Sequence, residues 1–260
     1  MHPFRLSSFW ANFLYLVGMG SLVLFSIQGE NLWLLLFSLV VHVALVSIFS
    51  AVVHRYYSHR AFKANESLMF ILSCITSAYG YATPSHWAVL HSAHHSFTDT
   101  DKDPHIKGFR GVFTATYKTP PYKQLLAKKW FHSKKHTILL NYSVSLVLIW
   151  NLLLSLISID LMLIIGLIPL ATTAFANGLH RSLSHSPDDI RNLWFLEYLI
   201  PMGGEWIHHN HHKNPKVAFY SRNKKELDTG GWLIKLLIYK QDNGEKNGEL
   251  ESHRVWETIG

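Results

Sequence analysis

The chain has 260 residues and a single cysteine, Cys74. No internal disulfide is possible, and no cysteine-held iron–sulfur cluster is expected. A Gly-x-Gly-x-x-Gly fingerprint is missing, which argues against a dinucleotide site. No fused haem-domain motif is present. Acidic residues are scarce: 17 Asp and Glu face 24 Lys and Arg, for a net charge of +7 and a pI of about 9.4. Such a balance points to nucleic acid, a membrane surface or an anionic ligand. The basic block 128–135 has no RNA- or DNA-binding pattern around it, so no nucleic acid partner is expected. Residues 1–4 lack the basic start and small-residue cleavage site of a signal peptide, and the first apolar block is expected to be a retained anchor.

Charge is most conspicuously absent from four long apolar runs. Residues 9–27, 32–53, 137–157 and 161–179 are each long enough to cross a hydrocarbon core about 30 Å thick. Polar breaks at 28–31 and 158–160 join them into two hairpins, and Pro169 predicts a kink in the fourth run. Residues 68–82 are apolar but short, and fit a buried or interfacial helix. Residues 192–202 read as a short interfacial stretch. Within the second run, His42 is expected as a neutral ring bonded to a backbone carbonyl. Arg5 is the sole Lys or Arg before His54; residues 54–136 hold twelve and residues 180–260 eleven. By the positive-inside rule both termini and the segments after the second and fourth runs face the cytoplasm. The expected fold class is an all-α membrane protein. Four transmembrane helices carry a cytoplasmic cap, 54–136 and 180–240, in one domain (1–260) with a loose tail at 241–260. The expected location is the bacterial inner membrane.

Histidine is abundant, at 18 residues. His91, His94 and His95 form a His-x-x-His-His unit, and His208, His211 and His212 form another. On a helix such positions share a face. His54 and His59 are five apart, about 140° from each other on a regular helix. That spacing suits two different ions, or a frayed helix end. The three clusters supply eight imidazoles. One zinc site uses three or four ligands, so eight suffice for two metals; imidazole accepts Zn, Cu, Ni or Fe. His86, His132, His136 and His253 read as surface residues.

In these boxes the chain resembles the integral-membrane fatty acid desaturases, in particular the acyl-CoA delta-9-like branch. The first box is His54-Arg55 through His59-Arg60. The second is His91 through His95, followed by Thr98-Asp99-Thr100-Asp101-Lys102-Asp103-Pro104-His105. The third is Gly204-Glu205 through His212, with Glu226, Asp228, Trp232 and Ile234 downstream. The resemblance covers roughly residues 32–237. It implies two iron ions, and a further histidine ligand after the last span near an Asn. Asn177 and His180 are expected to fill those roles, with His185 as the rival, since the segment after His180 departs from the family pattern.

The resemblance further implies an O2-dependent desaturase that places a cis double bond in a long-chain acyl substrate, carried as acyl-CoA or lipid-linked. A related di-iron hydroxylase of lipids or alkanes is the alternative, and a metal transporter or sensor a distant one. Asp99, Asp103, His105 and Glu205 are placed to support ligand rings through hydrogen bonds. Trp87 is expected to line the substrate slot, and Lys107, Arg110 and Lys123 to hold an anionic head group. Val89 and Leu90 stand where acyl-CoA members often carry charge, which leaves the head group open. With no electron-transfer module in the sequence, a separate ferredoxin, rubredoxin or cytochrome b5 type donor is expected.

Overall fold

The computed structural model describes residues 3–27, 32–105, 112, 133–186 and 189–242. The tail and the proposed head-group cations Lys107, Arg110 and Lys123 lie outside these residues, as do His132 and His253. The described chain is almost wholly helical. Helix α1 spans Pro3–Ile27. Helix α2, Leu32–Ile48, continues without a break into a π-helical segment, Phe49–His59. Two short helices follow, α3 at Glu66–Ala78 and α4 at Pro84–Phe97. Both are properly started. Asn65 accepts from Leu68 N, and Thr83 accepts from His86 N with Pro84 in the first turn, as N-caps do. Helix α5 spans Lys134–Ile157, and α6 runs from Ile159 to Leu183 with a π-helical start at Met162–Leu167.

Among the described residues, three helices are long and apolar enough to cross a membrane: Trp33–His59, Lys134–Ile157 and Ile159–Leu183. Tyr15–Ile27 is apolar but shorter among the residues whose side chains are described, so the fourth expected span stays a proposal. On α5 the large apolar side chains point outward. Tyr142, Leu148, Ile149, Leu152, Leu153 and Leu156 are all exposed. In water such a stripe would be costly; against lipid it is at home. Helix α3 is the short apolar element expected from 68–82 as buried or interfacial; it ends four residues earlier, buries Met69, Ser73, Thr76 and Ser77, and leaves Leu68, Ile71 and Ile75 exposed. The interfacial stretch is a 3-10 helix, Trp194–Tyr198.

Helices α2 and α6 run the same way, since both end at the histidines, and α1 packs along α6. The remaining elements close over that end. A two-residue hairpin pairs β1 (His185–Ser186) with β2 (Asp189–Ile190). Helix α7 is His208–Lys213, and α8 is Thr229–Asp242. Inside the bundle His42 has Nδ1 3.0 Å from Thr173 Oγ1 and Nε2 3.0 Å from the Pro201 carbonyl. That is the backbone-bonded ring expected of it. His136 departs from expectation. It is 1% exposed, with its ring centroid 5.1 Å from that of Tyr57 and 5.2 Å from that of Phe70. A ring at the start of α5 is covered because α3 and the π-segment pack against it.

Candidate metal centre

The π-segment is what makes the first box usable. In a π-helix the hydrogen bonds run from residue i to i+5, so residues five apart lie nearly above one another. His54 and His59 therefore face the same way, with Nε2 atoms 3.2 Å apart. This corrects the expectation of two ions for that pair. Arg60, in the left-handed region at φ 56°, ends the segment.

The histidines fall into two groups. In the first, His91 Nε2 lies 2.8 Å from His54 Nε2, 2.7 Å from His59 Nε2 and 2.9 Å from His95 Nε2, and His211 Nε2 is 2.9 Å from His95. In the second, His208 Nε2 is 2.8 Å from His185 and 3.0 Å from His212, which is 3.2 Å from His94. Each His-x-x-His-His unit is thus divided between the groups. The outer pairs, His91 with His95 and His208 with His212, stay together, while His94 and His211 cross over. His95 and His212 also stack at 4.4 Å, which joins the groups.

The acids show why these nitrogens converge. Glu205 lies 2.9 Å from His54 Nδ1 and also accepts from Ser50 Oγ. Burial pushes its carboxyl up, but His54, Arg55 and Ser50 outweigh burial and hold it at about 2. An ionised carboxylate only accepts, so His54 Nδ1 carries a proton, and Nε2 is the ring nitrogen turned toward the other histidines. Asp103 sits 3.1 Å from His94 Nδ1, and Asp99 lies 3.3 Å from His185 Nδ1. Burial, reinforced by neighbouring rings, holds His91, His208, His211 and His212 well below the ordinary imidazole value. Neutral rings with inward lone pairs cannot satisfy one another by hydrogen bonds. Ligand atoms at right angles around one ion, with bonds of about 2.0–2.1 Å, are about 3 Å apart. The observed spacings fit that, and the residues fit a pair of imidazole-bound metals.

His180 has its Nε2 2.8 Å from the Glu205 carbonyl and its ring 4.4 Å from that of His208, while His185, its rival, has Nε2 2.8 Å from His208 Nε2. The cause is helix length. Helix α6 runs on to Leu183 rather than stopping at 179, so His180 faces the bundle and the first ring beyond the helix is His185. His105 stacks on His94 at 4.1 Å, and its backbone N donates to Asp103. Asp99, at φ 64°, reaches His185 from a left-handed backbone that Asp tolerates. Asp101 is exposed. Trp87 lies flat on His91, 5.5 Å away at 12°. A small cavity of about 30 Å³ beside the rings is lined by Phe49, Trp87, Asn177, Arg181 and Met202. That is room for a water or two.

Two further groups were not singled out as site residues, although Arg55 and Asp228 of the first stand in the motifs quoted above. Arg55, wholly buried, forms two bonds to Asp228, at 2.7 and 3.0 Å, and donates to the Ala218 and Gly203 carbonyls. Its guanidinium lies 3.7 Å over the Tyr220 ring. Gly204, at φ 92°, permits this approach; a Cβ there would lie 2.8 Å from Arg55 Nη2. Glu197 is the second, an acid with no exposure beneath the third box.

No family model matches the chain. A delta-9 desaturase-like 4 protein of Arabidopsis thaliana is 27% identical over 206 residues, 70% of this chain and 66% of the relative. An acyl-CoA Delta(11) desaturase of Trichoplusia ni is 36% identical over 109 residues, 42% of this chain and 28% of the relative. A stearoyl-CoA desaturase of Mesocricetus auratus is 32% identical over 114 residues, 43% and 32% of the two chains. The matched stretch spans just under two thirds of the plant relative's length. On these likenesses the chain is similar to desaturases of fatty acyl chains, and its histidine boxes gather into one centre.

Proposed function

We propose that the chain is a membrane-bound fatty acyl desaturase, an oxidoreductase whose histidine centre holds two iron ions. The observation that carries this reading is the pair of imidazole groups with inward lone pairs, backed by acids on the far nitrogen of His54, His94 and His185. The likeness to acyl-CoA and delta-9 desaturases supports the substrate class. The substrate is a long-chain acyl group, as acyl-CoA or lipid-linked, that receives a cis double bond. The balance is one CH2–CH2 unit, O2, two electrons and two protons going to CH=CH and two waters.

Iron, when bound, supplies the oxidising power toward an unactivated C–H bond that side chains lack. The first group would use His54, His59, His91, His95 and His211; the second, His94, His185, His208 and His212. Glu205, Asp103 and Asp99 hold the ring orientation and keep the proton on the outer nitrogen. Trp87, Phe49 and Met202 keep the cavity largely apolar, which limits water beside the reacting carbons. Asn177 and Arg181 line it as well, with His54, His91, His208 and Glu205. Both termini and the centre lie on the cytoplasmic side, which the distribution of Lys and Arg supports. Electrons come from a separate ferredoxin, rubredoxin or cytochrome b5 type protein, and the basic surface favours an acidic partner.

Expression in an iron-replete host, with fatty acids profiled by mass spectrometry, tests this. A new monounsaturated species is expected that disappears with His94→Ala. A hydroxylated product would move the assignment to the hydroxylase alternative, and an unchanged profile with a competent reductant would overturn it.

A further inference from the structure

We infer that Glu197 is a positioning residue that sets the third-box loop, and through it the first histidine group. The inference rests on the metal reading above. Glu197 sits in the 3-10 helix Trp194–Tyr198, whose other face is open: Phe195 is 49%, Tyr198 57% and Leu199 72% exposed. Glu197 alone turns fully inward. Its Oε1 accepts from Gly204 N at 2.8 Å and Trp206 N at 3.1 Å, and its Oε2 accepts from Met202 N at 2.8 Å. This stretch has no helix or strand of its own, so these donors would otherwise be buried without partners.

Glu205 lies between two of the anchored amides. Its side chain orients His54, and its carbonyl accepts from His180. The chain then enters α7 with His208 one residue beyond Ile207. Other ties fix the loop at its margins. Leu193 N donates to the Trp206 carbonyl at 2.8 Å, and Arg55 holds the Gly203 carbonyl at 2.9 Å. Glu197 is the tie that reaches both sides of Glu205.

A residue kept for stability alone would not be an acid here. Burying a carboxyl is costly, and a well-packed apolar side chain of similar volume is often as stable or more so. Burial drives Glu197 up to about 8 against the opposing pull of the Met202 and Trp206 amides. What the acid supplies is two acceptor oxygens on one rigid plane for three converging N–H groups. Ligand geometry tolerates errors of only about 0.5 Å, so slack in this loop reaches His54 directly.

The test is Co(II) titration of the purified, metal-free full chain in detergent, followed by the ligand-field absorption. Wild type is expected to take up two Co(II) ions with distinct bands. Glu197→Gln keeps one carbonyl oxygen for Gly204 and Trp206 but turns an NH2 toward Met202 N. It is expected to weaken one of the two sites about tenfold and shift its band, with Glu197→Ala weaker still. Glu205→Gln should perturb the same band. Leu199→Ala, on the open face, should leave both sites unchanged. Where the Ala variant does not fold, the Gln variant decides. Wild-type affinity and spectrum in Glu197→Gln would overturn the positioning role while leaving the metal reading intact. A wild-type chain that takes up no Co(II) would overturn the metal reading, and this inference with it.

Discussion

The two histidine groups are built to different standards. The first hangs from a membrane helix, through His54 and His59, and its supporting acid, Glu205, is buried and fixed on both flanks. The second leans on shorter pieces. His185 sits on a two-residue strand, and its acid, Asp99, has a side chain 19% exposed and 3.3 Å from the ring, against 10% and 2.9 Å for Glu205 on His54. The first group is thus more firmly set by the fold, while the His185 corner of the second depends on a loop that water reaches. The second group is expected to lose its metal first.

The largest effect that separates them is ligand removal. His185→Ala should cut bound metal from about two ions per chain to about one and abolish desaturation, whereas His180→Gln should retain both ions, measured by elemental analysis of the purified protein. Equal metal loss in the two variants would erase the distinction between these rings. Next comes the buried charge pair behind the first group. Asp228→Asn removes the counter-charge of Arg55 and should cost about 3–5 kcal/mol of stability, read as a lower melting temperature in detergent, with Glu226→Gln costing far less. Smaller effects come from the supporting acids. Glu205→Gln should lower metal affinity about 10–100-fold, and Asp99→Asn toward the low end of that range because its ring contact is longer and wetter. A larger loss for Asp99→Asn would reverse the ranking of the groups.

The last effect is graded, and follows pH. His91, His208 and His211 are held below their ordinary value of 6.5. The unfolded chain therefore binds protons that the folded, metal-free chain refuses. Stability is full above about pH 6.5 and falls as pH drops below it, by about 1.4 kcal/mol per pH unit for each ring. Melting temperatures of the metal-free chain between pH 8 and 5 should show this decline. Adding metal should blunt it, since ligation competes with protons.

The eight box histidines could be read because polar rings at helical spacing beside uncharged apolar runs are rare. The apolar runs themselves gave the long helices to within a few residues. What could not be read depended on backbone detail. No apolar periodicity distinguishes a π-turn from an α-turn, so the pairing of His54 with His59 was hidden. A helix end is poorly marked without a Gly or Pro stop, and the four extra residues of α6 place His180 within the helix and His185 just beyond it. Glu197 stands in a mixed polar and apolar stretch, where an acid ordinarily faces solvent; only the fold turns it inward. His136 was misplaced for the same reason.

Arg55 and Asp228 are 173 positions apart. During synthesis the guanidinium is carried to its place behind the first box long before its counter-ion leaves the ribosome. Until then burying the guanidinium would leave an unpaired charge, at a cost of about 3–5 kcal/mol, so the helices that present the histidines have reason to stay apart. Closure of the centre is thereby tied to the arrival of the segment that carries Asp228.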